Sequence, residues 1–370
     1  MLQNDCKNTK SSEIFEVNQA FLQISAQIKS ELRQKTYEET INYLVGKLGF
    51  NDLFSKRLKT VNVSYDYING VVDFGQAPIL VSICERLKEA AISSAAEEIA
   101  LRDDIKVVLI AGPSSSGKTT FCKKLSYAIE QQGLKAIGLS LDDYYIDREF
   151  VPLDEDGKED FESIYALNLE LFQTQLDKLL NGEEVELPRY DFPTGKNVKS
   201  GKNIKLDDRT ILIIEGIHAL NPMLTGNVSD EFIYRIYISG LTTYLLPDGS
   251  VFPTTDNRLL RRMVRDSKFR NTTALQTLER WPSVRRGEEK WIVPFQENAD
   301  INLCTAYQYE ICFLKQHALP LLKEVPEDAP EYEEAQRLIK VCGLYNEIPI
   351  DVLPPYSLLR EFLGGSGYEY

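Results

Sequence analysis

The residues Gly112, Pro113, Ser114, Ser115, Ser116, Gly117, Lys118 and Thr119, followed by Thr120, carry the clearest chemistry in this 370-residue sequence. They follow G-x-x-x-x-G-K-[ST] without a gap. Two glycines let the backbone curl so that successive N–H groups point inward and surround phosphate oxygens. A helix that begins at the second glycine adds its partial positive charge. In such a loop Lys118 reaches the β- and γ-phosphates, and the Thr119 hydroxyl holds a magnesium ion. The pattern therefore predicts binding of a nucleoside triphosphate, with ATP and Mg²⁺ as the expected cofactors.

Phosphoryl transfer also needs acidic groups, to hold the metal and to accept the proton of the attacking hydroxyl. Asp142 and Asp143 come straight after the apolar run Gly138 to Leu141, and Glu215 ends the apolar run Ile211 to Ile214. Open α/β sheets bind ligands at the carboxyl ends of their strands. On extended chain, neighbouring side chains point to opposite sides, so one of Asp142 and Asp143 is expected to face the site. A third feature is basic. Between Asp256 and Lys290 there are ten basic and five acidic residues. On a helix, Arg258, Arg262 and Arg265 share one face. The stretch, about 256–290, reads as a lid that closes over the triphosphate and neutralises charge on the moving group. A solvated face with surface ion pairs and a nucleic-acid patch are the competing readings, the second weakened by thin aromatic interleaving.

These groups need a scaffold, and the pattern supplies one. Ile105 to Ala111 is a short apolar run of the kind found in buried parallel strands. A helix from Lys118 to about Gln131 follows, stopped by Gly133. Further strands are expected at Ala136 to Leu141, Ile211 to Ile214 and Ile233 to Ile238. Further helices are expected at Asn168 to Leu180, Asn257 to Lys268, Tyr307 to Lys323 and Glu331 to Cys342. Alternation at this spacing indicates an α/β, doubly wound parallel sheet of the P-loop NTPase type. Ahead of it, residues 12–54 carry a helical apolar stripe. Val61 to Val72 alternates and contains Asn69-Gly70, which reads as a hairpin, and Pro78 opens a long helix to about Arg102. Residues 1–104 thus read as a mainly helical accessory or dimerisation region, and 105–370 as the kinase domain.

Composition narrows the partners. Lys plus Arg is 42 and Asp plus Glu is 56, for a formal charge of −14. Gripping nucleic acid or anionic lipid over a whole surface needs a net positive face, so neither partner is expected. The acidic balance elsewhere makes the local basic stretch a selective landing place for a polyphosphate. Six scattered cysteines form no C-x-x-C pair, and two histidines give no zinc spacing. With no secretory signal pattern and no long apolar run, a reducing cytoplasmic setting with free thiols is expected.

Taken together, the motifs resemble the uridine kinase and phosphoribulokinase superfamily, and especially the bacterial-type uridine kinase-like nucleoside kinases. The resemblance runs over about residues 105–365. It is carried by the phosphate loop, by Ser140-Leu-Asp-Asp-Tyr-Tyr145, Leu187-Pro-Arg-Tyr-Asp-Phe192, Ile214-Glu-Gly-Ile-His218 and Thr255-Asp-Asn-Arg-Leu-Leu-Arg-Arg262. Two more stretches belong to it: Trp281-Pro-Ser-Val-Arg-Arg-Gly-Glu-Glu-Lys290 and Leu359-Arg-Glu-Phe-Leu-Gly-Gly365. The resemblance implies transfer of the ATP γ-phosphate to a hydroxyl of a small sugar-bearing acceptor. It makes Asp142 the acid that accepts the acceptor proton and neighbours Mg²⁺, and Glu215 the second acidic residue near the metal. Asp143 stands where serine is usual. Tyr145, Tyr190 and Phe192 fall on pocket aromatics, and Glu162 on the acid that holds ribose hydroxyls. Arg262, Arg265 and Arg270 fall on arginines of the substrate and lid region, Arg265 with Lys118 serving the moving phosphoryl group.

Two positions depart from the uridine kinase pattern. Gly195 replaces a base-contacting histidine, and Thr272 replaces an arginine. The expectation is an ATP-dependent kinase of a nucleoside. A kinase of another sugar or polyol, or a non-catalytic ATP-binding module, is the alternative. A guanine-reading Asn/Thr-Lys-x-Asp motif is absent, which disfavours a regulatory GTPase.

Overall fold

The computed structural model describes residues 61–226 and 228–369. The helical stripe expected over 12–54 lies outside the described residues. In chain order the elements are β1 (Val61–Ser64), α1 (Tyr65–Asp73), α2 (Ala77–Ala100), β2 (Val107–Ala111), α3 (Lys118–Gln131), β3 (Lys135–Ser140) and α4 (Leu169–Leu180). Then come β4 (Val185–Asp191), β5 (Lys196–Ile204), β6 (Thr210–Glu215), α5 (Pro222–Thr225), β7 (Ile233–Ser239), β8 (Thr242–Leu245) and β9 (Val251–Phe252). The chain closes with α6 (Thr254–Phe269), α7 (Ala274–Trp291), β10 (Ile301–Cys304), α8 (Glu310–Lys323), α9 (Tyr332–Gly343) and α10 (Arg360–Leu363).

The central sheet is parallel, with strand order β10-β7-β2-β6-β3. Its alternation divides two apolar cores, because successive residues of a strand face opposite sides. Val108, Ile110, Ile211 and Ile213 enter the core formed with α2, α3, α6 and α8. Val107, Leu109, Leu212 and Ile214 enter the core formed with α4 and the β4–β5 hairpin. A sheet covered on both faces accounts for strands that read as continuous apolar runs. The register sets Ile110 and Ser140 beside Glu215, so the carboxyl ends of β2, β3 and β6 form one edge.

The hairpin expected at Val61 to Val72 is corrected. Only Val61–Ser64 is a strand, and it pairs in parallel with β8. Ser64 then caps α1 by accepting from the Tyr67 N–H. Asn69 does not turn the chain. It is buried, donates to the Leu344 carbonyl at 2.8 Å and accepts from the Asn346 N–H at 2.8 Å. The distant partners outweigh the local turn preference. α2 begins with proline in its first turn, as expected, and packs on α3. Lys124 of α3 pairs with Glu89 of α2.

Candidate active site

The phosphate loop joins β2 to α3. Gly117 sits at φ +88°, the left-handed region, as the residue before the helix. Gly112 is fixed by crowding, since a Cβ there would overlap the Ile238 carbonyl oxygen. Ser115 also adopts a left-handed φ of +59°. Lys118 Nζ donates to the carbonyls of Gly112 (3.0 Å) and Pro113 (3.3 Å), folded back over its own loop. The hydroxyls of Ser115 and Ser116 are buried and make no hydrogen bond within the chain. Arg262 Nη1 donates to Ser114 Oγ at 2.8 Å. Thr120 turns its N–H and its hydroxyl to one oxygen of Glu361, at 3.0 and 2.7 Å.

The acids gather beside the loop. Glu215 Oε1 accepts from Thr119 Oγ1 at 3.2 Å and from Ser140 Oγ at 3.1 Å. Burial, then repulsion from Asp142, pushes the Glu215 carboxyl up to about 7, against the pull of Lys118. Asp142 and Asp143 lie on a 3₁₀ turn, Leu141–Tyr144, rather than on extended chain. The Ser140 hydroxyl accepts from the Asp142 N–H and opens this turn. The two acids still diverge. Asp143 accepts from the Tyr190 N–H at 3.4 Å, and burial raises its pKa. Asp142 acts electrostatically on Glu215, Tyr145 and Arg270. Among the described residues, no group of three or more His, Cys, Asp or Glu side chains is arranged to hold a metal ion. One or two carboxylates completed by phosphate oxygens suit magnesium, so the donor set Thr119, Asp142 and Glu215 fits it.

An aromatic wall flanks Asp142. The Tyr145 hydroxyl donates to the Phe161 carbonyl at 2.9 Å, and its ring lies 5.6 Å from that of Tyr190. Tyr190 meets Phe192 edge to face at 5.1 Å, and Arg270 stands 5.2 Å over the Phe192 ring. Glu162 lies nearby. Burial raises its carboxyl to about 7 despite Arg262, and its Oε2 is buried without a hydrogen-bond partner in the chain. Gly287 of α7 lies directly against Glu162, and a Cβ at that position would overlap the glutamate side chain. His218 is buried, and desolvation lowers its pKa to about 4, so its imidazole is neutral.

The arginines divide into two sets. Arg258, expected on the same face as Arg262 and Arg265, is buried instead and makes a bidentate pair with Glu288 of α7 at 2.7 to 2.9 Å. Arg261 is also fully buried and bonds Glu310 at 2.7 Å. These two are internal struts rather than lid groups. Arg262, Arg265 and Arg270 instead surround Asp266, at 3.4, 2.7 and 3.6 Å. Burial alone would raise the Asp266 pKa, but the three guanidinium groups together hold it below the usual range. Arg265 repels Arg270, whose pKa falls to about 10. Further along α7, Ser283 Oγ donates to Asp154 at 2.7 Å, and Arg286 pairs with Asp156. The helix is thus tied to the loop that leads to Glu162.

At the two departing positions the structure gives specific surroundings. Gly195 has φ +69°, and a Cβ there would come within 2.9 Å of Arg148 Cβ and Nε. Arg148 donates to the Phe192 carbonyl at 2.9 Å. Thr272 borders a polar cleft of about 370 Å³ shared with Lys158, Asn271, Gln276, Glu279 and Arg280. Sequence reasoning missed Glu361, Arg261 and Thr305, whose contacts with the loop span 146 to 241 residues.

A family model described as "Phosphoribulokinase / Uridine kinase family" matches residues 107–311. The chain is similar to the uridine kinase of Halobacterium salinarum, 28% identical over 193 residues that cover 52% of this chain and 76% of that protein. It is 30% identical to the uridine kinase of Staphylococcus epidermidis over 196 residues, 53% of this chain and 85% of that one. Among solved structures, D-glycerate 3-kinase from Cryptococcus neoformans var. grubii aligns with a TM-score of 0.40 and 14% identity, over 58% of this chain and 92% of that chain. The family match spans more than half of the chain and takes in the phosphate loop, both acidic strand ends and the arginine helix. The chain therefore belongs to the phosphoribulokinase / uridine kinase family of kinases.

Proposed function

We propose that this chain transfers the γ-phosphate of ATP to a hydroxyl of a nucleoside. The observation that carries the reading is the convergence of Lys118, Thr119, Asp142 and Glu215 at the carboxyl ends of three adjacent strands. In this proposal Gly112 to Thr120 hold the triphosphate through loop N–H groups, and Lys118 leaves its own carbonyls for phosphate oxygens. Thr119, Asp142 and Glu215 would hold Mg²⁺, which when bound supplies charge neutralisation on the phosphates. The repulsion that raises Glu215 is of the kind a divalent cation relieves.

Asp142 takes the proton of the acceptor hydroxyl while the new O–P bond forms and the bond to the leaving ADP oxygen breaks. Arg265 and Lys118 stabilise charge on the moving group, and Arg262 and Arg270 line the acceptor side. The unpaired Oε2 of Glu162 is suited to accept from vicinal ribose hydroxyls, with Tyr145, Tyr190 and Phe192 as the wall. We further propose that residues 105–370 form the kinase domain, that the stretch of about 256–290 carries the lid over the triphosphate, with Arg258 and Arg261 as its internal struts, and that 1–104 is accessory. The five described cysteines are free, which suits a reducing cytoplasm.

A second reading, an acceptor that is another sugar or polyol, draws on Gly195. Arg148 packs where a base-reading side chain would stand. The test is a panel of nucleosides, sugars and polyols offered with ATP to the purified protein. Phosphorylation of uridine or cytidine is expected. If both fail while a sugar or polyol is phosphorylated, the nucleoside assignment gives way to the second reading.

A further inference from the structure

We propose that Arg261 and Thr305 are positioning residues that set the phosphate loop from behind. They hold two consecutive carbonyls, so that the Ser116 N–H closes the loop's turn and the Gly117 N–H faces the nucleotide. The inference rests on the nucleotide-site reading above and deepens it.

Both residues are buried, and each reaches the loop through a backbone carbonyl. Arg261 Nη1 donates to the Ser115 carbonyl at 3.2 Å, and Thr305 Oγ1 donates to the Ser116 carbonyl at 2.6 Å. In a planar trans peptide the C=O and the next N–H point in opposite directions. Fixing these two oxygens therefore fixes the N–H groups of Ser116 and Gly117: the first closes the loop's own turn by donating to the Pro113 carbonyl at 3.2 Å, and the second is turned away from Thr305, toward the loop interior. The two peptides flank Ser116 and connect left-handed Ser115 to left-handed Gly117, residues whose backbone builds an anion-binding concavity.

The guanidinium is fully committed. Nε bonds Glu310 at 2.7 Å, and Nη2 donates to the Thr305 carbonyl at 3.1 Å, tying the two supports together. Asn257 holds the other oxygen of Glu310. Phe362 stacks 5.0 Å from the guanidinium carbon, and a Cβ on Gly240 would lie 3.1 Å from Nη1. A buried ion pair gives little net stability compared with apolar residues of the same shape. What Arg261 supplies is direction: three planar donors aimed at three separate acceptors, which a lysine cannot reproduce.

The test is ATP affinity by calorimetry, with and without magnesium, alongside the melting temperature of each nucleotide-free chain. Thr305→Val keeps the shape and removes the donor. It is expected to weaken ATP binding about tenfold, the scale of one lost hydrogen bond, while Thr305→Ser restores wild-type affinity. Arg261→Lys is expected to weaken binding by about ten- to a hundredfold. Thr305→Ser separates alignment from bulk packing, because it loses the methyl but keeps the hydroxyl. Folded Thr305→Val and Arg261→Lys chains that bind ATP as the wild type does would overturn the proposal, as would a Thr305→Ser chain as weak as Thr305→Val. Should Arg261→Lys not fold, the Thr305 pair decides. A wild-type chain that binds no ATP overturns the nucleotide-site reading itself and this inference with it. A wild type that binds, with Lys118→Met that does not, leaves that reading standing and isolates the inference.

Discussion

The Thr119 hydroxyl meets the Glu215 carboxylate at 3.2 Å, bridging the start of α3 and the end of β6, and Ser140 from β3 donates to the same oxygen. The start of helix α3 and the ends of the neighbouring strands β3 and β6 thus converge on one carboxylate. With Asp142 adjacent, that carboxyl titrates near 7 because it is buried beside like charge.

Asp142→Asn removes the proposed proton acceptor while leaving the phosphate loop untouched. The turnover rate with an active acceptor is expected to fall by about 10²- to 10⁴-fold. ATP affinity measured without magnesium should stay near the wild-type value, within about twofold by calorimetry. A variant that retains full turnover would remove Asp142 from the chemistry.

Lys118→Met leaves no ammonium for the phosphates. Its present partners are two backbone carbonyls of its own loop, so the fold should persist. ATP binding is expected to weaken by at least about tenfold and turnover by more, since a cation aimed at the moving group counts most in the transition state. Circular dichroism and calorimetry on one sample check both halves.

Glu162 gives a pH dependence of stability. Its folded pKa of about 7 lies above the ordinary value of 4.5, so the folded chain holds a proton that the unfolded chain releases. Stability from this group falls as pH rises from about 4.5 to 7 and then levels off. Glu162→Gln removes the fall. The melting temperature of the variant should match the wild type near pH 4.5 and exceed it at pH 8. Parallel pH profiles would show that Glu162 is not held protonated.

Arg258 and Arg262 should separate structure from function. Arg258→Met leaves buried Glu288 with Arg285 alone and is expected to cost about 3 kcal/mol in urea unfolding. Arg262→Ala leaves Asp266 paired with Arg265 and Arg270, so its stability change should be small while turnover drops. Equal stability losses in the two variants would contradict this division.

Gly287→Ala tests the contact between α7 and the acceptor side. Alanine is the better helix former, yet its Cβ would overlap Glu162. The KM for the acceptor is expected to rise several-fold and the KM for ATP to stay unchanged. An unchanged acceptor KM would detach α7 from acceptor binding.

The central strands were legible because a buried parallel strand is an uninterrupted apolar run, as at Val107–Ala111 and Thr210–Glu215. The helix Lys118–Gln131 falls where its pattern and Gly133 place it. Less was visible where local preference and long-range contact disagree. Asn69-Gly70 carries a turn signal, but the chain is helical there because Asn69 is held by residues 344 and 346. Pro282 and Gly287 obscure α7, which is nonetheless helical through both. The edge strand β10 is too short to announce itself.

The sequence by itself determined the phosphate loop, the acidic strand ends and the parallel α/β plan, because each depends on neighbours within a few residues or on a simple period. Only the tertiary structure decided which charges are free. Arg258 and Arg261 read like Arg262 and Arg265 in the chain, yet the first two are buried against Glu288 and Glu310 while the others surround Asp266 beside the loop. The physical reason is that burying a charge requires a partner, and these partners come from α7 and α8, dozens of residues away. The same holds for the loop carbonyls of Ser115 and Ser116, whose donors lie 146 and 189 residues downstream.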